Sequence, residues 1–142
     1  MNKLLKITLL SALSLLAMSA QATDSIIRSE APKDAELYII SPANGSVVTS
    51  PVTVKFGLKG MGVSPAGIEK AKTGHHHLII DGNLPALDKP MGKEVMHFGG
   101  GQTEKTIELT PGKHTLQLIL GNHMHVPHNP AVISEKITIT VE

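Results

Sequence analysis

The chain has 142 residues, with 13 Lys and Arg against 12 Asp and Glu, eight His and no Cys. Near-neutral charge without a basic stretch speaks against nucleic acid, whose phosphates are held by clustered Lys and Arg, and against a polybasic membrane contact. Without Cys there is no disulfide, no thiolate catalysis and no thiolate metal site, and with Tyr38, Phe56 and Phe98 as the only aromatics a core must come from Ile, Leu and Val.

In chain order, Lys3 and Lys6 give a short basic start, and a largely apolar run follows from Ile7 to about Ala17. Ala20-Gln21-Ala22 then has the small-x-small form that signal peptidase reads. The run is short for a bilayer span of about 20 residues. Residues 1–22 are therefore expected to be a signal peptide cleaved after Ala22, which sends the protein to the periplasm. Loss of Lys3 and Lys6 changes the formal charge from +1 to about −1. No Cys follows to accept a lipid, and no later segment is long and apolar enough to insert in a membrane, so a soluble product is expected.

Residues 23–35 are polar and aperiodic, and read as a flexible lead-in. From residue 36 to residue 142 the chain reads as short strands between turns. Glu36 to Ile40 is β-rich, and Ser41-Pro42-Ala43-Asn44-Gly45-Ser46 is a turn. Pro51 to Leu58 alternates Val52, Val54 and Phe56 against Thr53, Lys55 and Gly57. His77 to Asp81 is a compact apolar run, and Val95 to Phe98 is short and ends in three glycines. Thr106 to Leu109, His114 to Leu120 and Val132 to Val141 alternate again, with Leu116, Leu118 and Leu120 on one face. Gly67 to Lys72 offers one helical turn at most. About seven alternating strands in one domain predict an all-β fold, an immunoglobulin-like sandwich without the usual disulfide or Trp, with a small barrel as the alternative.

All eight histidines lie beyond the signal segment. Alternation sends His75 and His77 to one face of their strand and His76 to the other. His97 precedes the glycine run, His123, His125 and His128 share one connection, and His114 begins a strand. If strand starts and loops gather at one end, His75, His77, His97, His125 and His128 form a candidate site. Imidazole suits copper, zinc, nickel and iron. Met96 and Met124, each beside a His, are candidate soft donors, although flexible filler at strand ends is the simpler role for Met. His76 and His114 are weaker candidates, and Asp81 and Glu104 are candidate acceptors to orient the imidazoles. His-Glu-x-x-His zinc-peptidase and Gly-x-Ser-x-Gly hydrolase motifs are both missing, and Gly99-Gly100-Gly101 lacks the Lys and Ser/Thr of a phosphate loop.

Four stretches stand out as a set: Gly74-His75-His76-His77-Leu78-Ile79-Ile80-Asp81, His97-Phe98-Gly99-x-Gly101-Gln102-Thr103-Glu104, Pro111-Gly112-Lys113-His114-Thr115-Leu116-Gln117-Leu118 and His125-x-Pro127-His128-x-Pro130-x-Val132-x-Ser134. They resemble a family of small exported bacterial proteins known only as a domain of unknown function, over most of the chain from about Leu37. The resemblance brings no activity with it. It marks His75, His76, His77, His97, His114, His125 and His128 as positions of interest. Asn122 stands where an Asp is expected in relatives.

Three functions are compatible with these residues. The first is a periplasmic binding module holding copper or zinc, in metal buffering or delivery, with another periplasmic protein as a partner and no turnover of its own. The second is a structural or interaction module of the cell envelope whose histidines order loops. The third is a metal-dependent hydrolase, for which Asp81 and Glu104 are the carboxylates closest to the His motifs.

Overall fold

The computed structural model describes residues 26–142, so the expected signal segment 1–22 and the first residues of the lead-in lie outside the described residues. Nine strands and no helix occur among the described residues: β1 (Glu36–Ser41), β2 (Val47–Val48), β3 (Val52–Lys59), β4 (Gly62–Val63), β5 (Thr73–Ile80), β6 (Met96–His97), β7 (Glu104–Ile107), β8 (Gly112–Gly121) and β9 (Ile137–Val141). They form two sheets. One has the order β1-β3-β7, the other β2-β9-β8-β5-β4, with β6 also paired to β5. The all-β expectation holds, as a β-sandwich. The single helical turn considered for Gly67 to Lys72 is absent: a turn at Ala66-Gly67 and another at Ala71-Lys72 flank residues 68–70 without regular structure.

Alternation explains how the sheets close on each other. Val52, Val54 and Phe56 of β3 are buried while Thr53 and Lys55 are exposed. Leu116, Leu118 and Leu120 of β8, with Ile137, Ile139 and Val141 of β9, join them in the main core. Burying each such side chain stabilises the fold by roughly 1.5–3 kcal/mol. Phe56 and Phe98 pack with ring centroids 4.8 Å apart.

β5 departs from this pattern, because both of its faces are covered. Leu78 joins the main core, while Ile79 joins a second, smaller cluster with Met91, Val95 and Ile119. That cluster lies on the outer face of the larger sheet. The long connection between β5 and β6 roofs it, through Leu87, Met91 and Val95. Of the lead-in, Arg28 Nε donates to Pro127 O at 3.0 Å, and Ser29 O and Ala31 N pair with Asn129. Ala31 is part of the main core.

Candidate metal centre

β5 runs antiparallel to β8, with His75 opposite Gly121 and His77 opposite Ile119. On its other edge His77 lies opposite His97 of β6. Directly opposed residues put their side chains on the same face, so His75, His77 and His97 all stand on the outer face. His76 points the other way, into the core, with its ring centroid 5.1 Å from that of Phe56.

His125 arrives from the turn after β8, and Asn122 builds that turn. The Asn122 carboxamide oxygen accepts from the backbone N–H of Met124 at 2.9 Å and of Val126 at 3.0 Å. Its Nδ2 donates to Ser29 Oγ at 3.0 Å. An Asp here would accept the same two N–H groups but lack the donor for Ser29. The turn holds His125 at φ 63°, the left-handed region that a residue with a Cβ adopts at a cost and that clusters at functional sites. Close packing also needs a missing Cβ. A Cβ on Gly121 would stand 2.7 Å from His77 Cε1 and 2.9 Å from Met91 Cε.

The four imidazoles converge. His75 Nε2 lies 3.0 Å from His125 Nδ1 and 3.1 Å from His97 Nε2. One ligand nitrogen from each of His75, His77, His97 and His125 falls within 4.8 Å of all the others. Zinc–imidazole bonds of about 2.0–2.1 Å in a tetrahedron place the nitrogens about 3.3 Å apart, so the observed spacing is close to that of a ligand set. The hydrogen bonding points the same way. Both nitrogens of the buried His77 have no hydrogen-bond partner, a costly state for buried polar atoms that a metal would relieve at one of them; both nitrogens of the core residue His76 share it without belonging to the group. Burial first, then the neighbouring imidazoles, pushes His75 down to about 4 and His77 down to about 3. Burial and then His97 lower His125 as well. His75 and His77 are therefore neutral at pH 7, as ligation requires, and His125 is shifted in the same direction. His75 and His77 are buried, His125 is half-buried and His97 is exposed, so the group opens to solvent on the His97 side.

The other candidates lie elsewhere. His128 is buried, but its Nε2 donates to Thr73 O at 3.0 Å and it is not one of the four. His123 is half-buried outside the group. Met96 and Met124 are exposed. Asp81 follows the far end of β5, about 13 Å from His77 at ordinary strand rise. Its Oδ2 sits 2.6 Å from His114 Nδ1, and its Oδ1 accepts from Thr115 N at 2.7 Å. His114 Nε2 donates to Thr110 O at 2.7 Å. Both partners of His114 are acceptors, so both its nitrogens carry protons and the ring is a cation bound to a carboxylate. Glu104 is exposed on β7 of the other sheet. Neither carboxylate orients the four imidazoles. Sequence reasoning passed over Met91 as a loop residue and Asn122 as a lost carboxylate. A lone apolar residue in Lys89-Pro90-Met91-Gly92-Lys93 and an Asn opening a turn were the available signals.

The chain matches no curated protein and no solved structure. A family model described as a domain of unknown function matches residues 54–142, a span that starts within β3 and contains every histidine. On that match the chain belongs to the family DUF4399, a domain of unknown function.

Proposed function

We propose that this protein is an exported metal-binding module in which His75, His77, His97 and His125 hold one transition metal ion, copper or zinc, for buffering or delivery. The observation that carries the reading is the convergence of three imidazole nitrogens at 3.0 and 3.1 Å beside a buried His77 with no hydrogen-bond partner. The one-sided opening at His97 suits exchange of the ion with a partner protein. No carboxylate belongs to the group, which leaves a hydrolase without a general base at the ion and favours binding over turnover. The loop-ordering role suits His114 and His128, whose bonds tie backbone segments together.

Export to the periplasm, with Thr23 as the new N-terminus, rests on Lys3, Lys6, the apolar run and Ala20-Gln21-Ala22. The immunoglobulin-like reading of the sandwich is supported by strand order. The sheets β1-β3-β7 and β9-β8-β5 follow the A-B-E and G-F-C orders of that fold. The parallel pairing of β2 with the last strand is compatible with it.

The test is a competition titration of the untagged protein with Zn(II), Cu(II) and Cu(I) against chelators of known affinity. A triple variant, His75→Ala, His77→Ala and His125→Ala, is titrated alongside, with its fold checked by circular dichroism. One tight equivalent in the wild type, lost in the folded variant, is expected. Equal weak binding by both would remove the metal reading and leave all the histidines as architecture.

A further inference from the structure

We propose that Met91 supplies a thioether donor at this centre and biases it toward monovalent copper, which takes at most four donors and so would bind the sulfur in place of one imidazole, an inference that rests on the four-imidazole reading above. Met91 is a single apolar side chain in a loop of Lys89, Pro90, Gly92, Lys93 and Glu94, yet it is buried. Two contacts fix it at the imidazoles. Its backbone N–H donates to the carbonyl of His125 at 3.0 Å, so the roof is fastened to the residue that supplies one ligand. Its Cε reaches within 2.9 Å of the position a Cβ on Gly121 would take, and His77 Cε1 and Nδ1 reach within 2.7 and 3.2 Å of that same point. The thioether and the His77 ring thus share the space above Gly121, and the sulfur is one bond from the methyl carbon.

The chemistry of the donor set favours the same ion. Thioether sulfur is a soft ligand suited to Cu(I). Imidazole binds a metal as an uncharged donor, and no carboxylate is among the four. The cost of moving an ion out of water grows with the square of its charge. A divalent ion held here without a counter-charge therefore bears about four times the desolvation cost of a monovalent one.

Met91 also packs with Ile79, Val95 and Ile119, and Leu at this position keeps that packing at similar volume. Met91→Leu is therefore the informative variant, titrated with Cu(I) and Zn(II) against chelators and melted to confirm its fold. At least a tenfold loss of Cu(I) affinity is expected, with Zn(II) affinity held within about twofold. Unchanged Cu(I) affinity, or an equal loss for both ions, would overturn the role of Met91 and leave the four-imidazole site standing. A wild type that takes up neither ion would instead overturn the site itself, and Met91 with it. X-ray absorption at the copper edge of the Cu(I)-loaded wild type gives an independent reading. A sulfur scatterer is expected, and a shell of nitrogen alone would contradict the proposal.

Discussion

Asn122 shows how far the imidazole cluster depends on a residue outside it. Its carboxamide closes the turn that aims His125, and it is buried. Asn122→Ala strands the N–H groups of Met124 and Val126, at about 1–3 kcal/mol for each one left unsatisfied. A lower urea midpoint and at least a tenfold loss of metal affinity are expected together. His125→Ala, at a half-buried position, should lose affinity with little change in stability, and equal destabilisation by both would argue against Asn122 as the organiser. Gly121→Ala should weaken binding too, because the new methyl group must displace the His77 ring or the Met91 methyl. At this scale the sequence was legible where alternation applies, which put His75 and His77 on one face. It set His128 among the five candidates, since nothing in its spacing tells a ring that donates to Thr73 O from one that joins the other four.

At the scale of elements, Asp81 and His114 fasten the end of β5 to the start of β8, far from the imidazole cluster. Burial pushes the Asp81 carboxyl up, but His114 and the Thr115 N–H outweigh it and hold it below its ordinary 3.8. The hydrogen bond to Asp81, then that to Thr110 O, raises His114 above its ordinary 6.5. A raised His contributes fully below 6.5 and loses its contribution as the pH rises through its folded value. A lowered Asp contributes above 3.8 and loses its contribution in acid. The stability difference between wild type and Asp81→Asn should therefore be largest between about pH 4 and 6.5 and shrink on both sides. A difference that stays flat from pH 5 to 9 in urea denaturation would contradict the ion pair. The elements themselves were legible to unequal degrees. β3 and β9 bury one face and show the alternation that predicts them, and β8 was legible from Leu116, Leu118 and Leu120 although both its faces are covered from Leu116 on. β5 begins at Thr73 rather than His77 because both its faces are covered, so alternation fades and three polar-looking histidines conceal a buried strand. The two-residue β2 and β4 carry too few side chains for any period.

For the whole molecule, the cluster makes the metal-free protein sensitive to acid. Burial, aided at His75 and His77 by their neighbours, pushes His75 and His76 down to about 4 and His77 down to about 3. In the unfolded chain each takes up a proton near 6.5. A lowered His loses stability as the pH falls below 6.5, until its folded value is reached, at about 1.4 kcal/mol per pH unit for each ring. Stability of the metal-free protein should fall steeply from pH 6.5 to 4, and saturating metal should lift it throughout, as any ligand of the folded state does. A flat metal-free profile over that range would count against buried neutral imidazoles. The architecture gives the reason for this arrangement. A long connection roofs part of the outer face of one sheet, and His75 and His77 are buried there while His97 stays exposed. Sequence periodicity cannot announce that roof, because Leu87, Met91 and Val95 are scattered in a polar loop. A cluster was expected among strand ends and loops, and the four imidazoles come from a strand, an edge strand and a turn. Its place under a roof on one sheet face emerges only from the packing.

The most direct measurement is X-ray absorption at the zinc edge of the protein loaded with one equivalent of Zn(II) at neutral pH. The four-imidazole centre requires nitrogen scatterers at about 2.0–2.1 Å with the outer-shell pattern of several imidazole rings. A shell dominated by oxygen, with one imidazole or none, would contradict it.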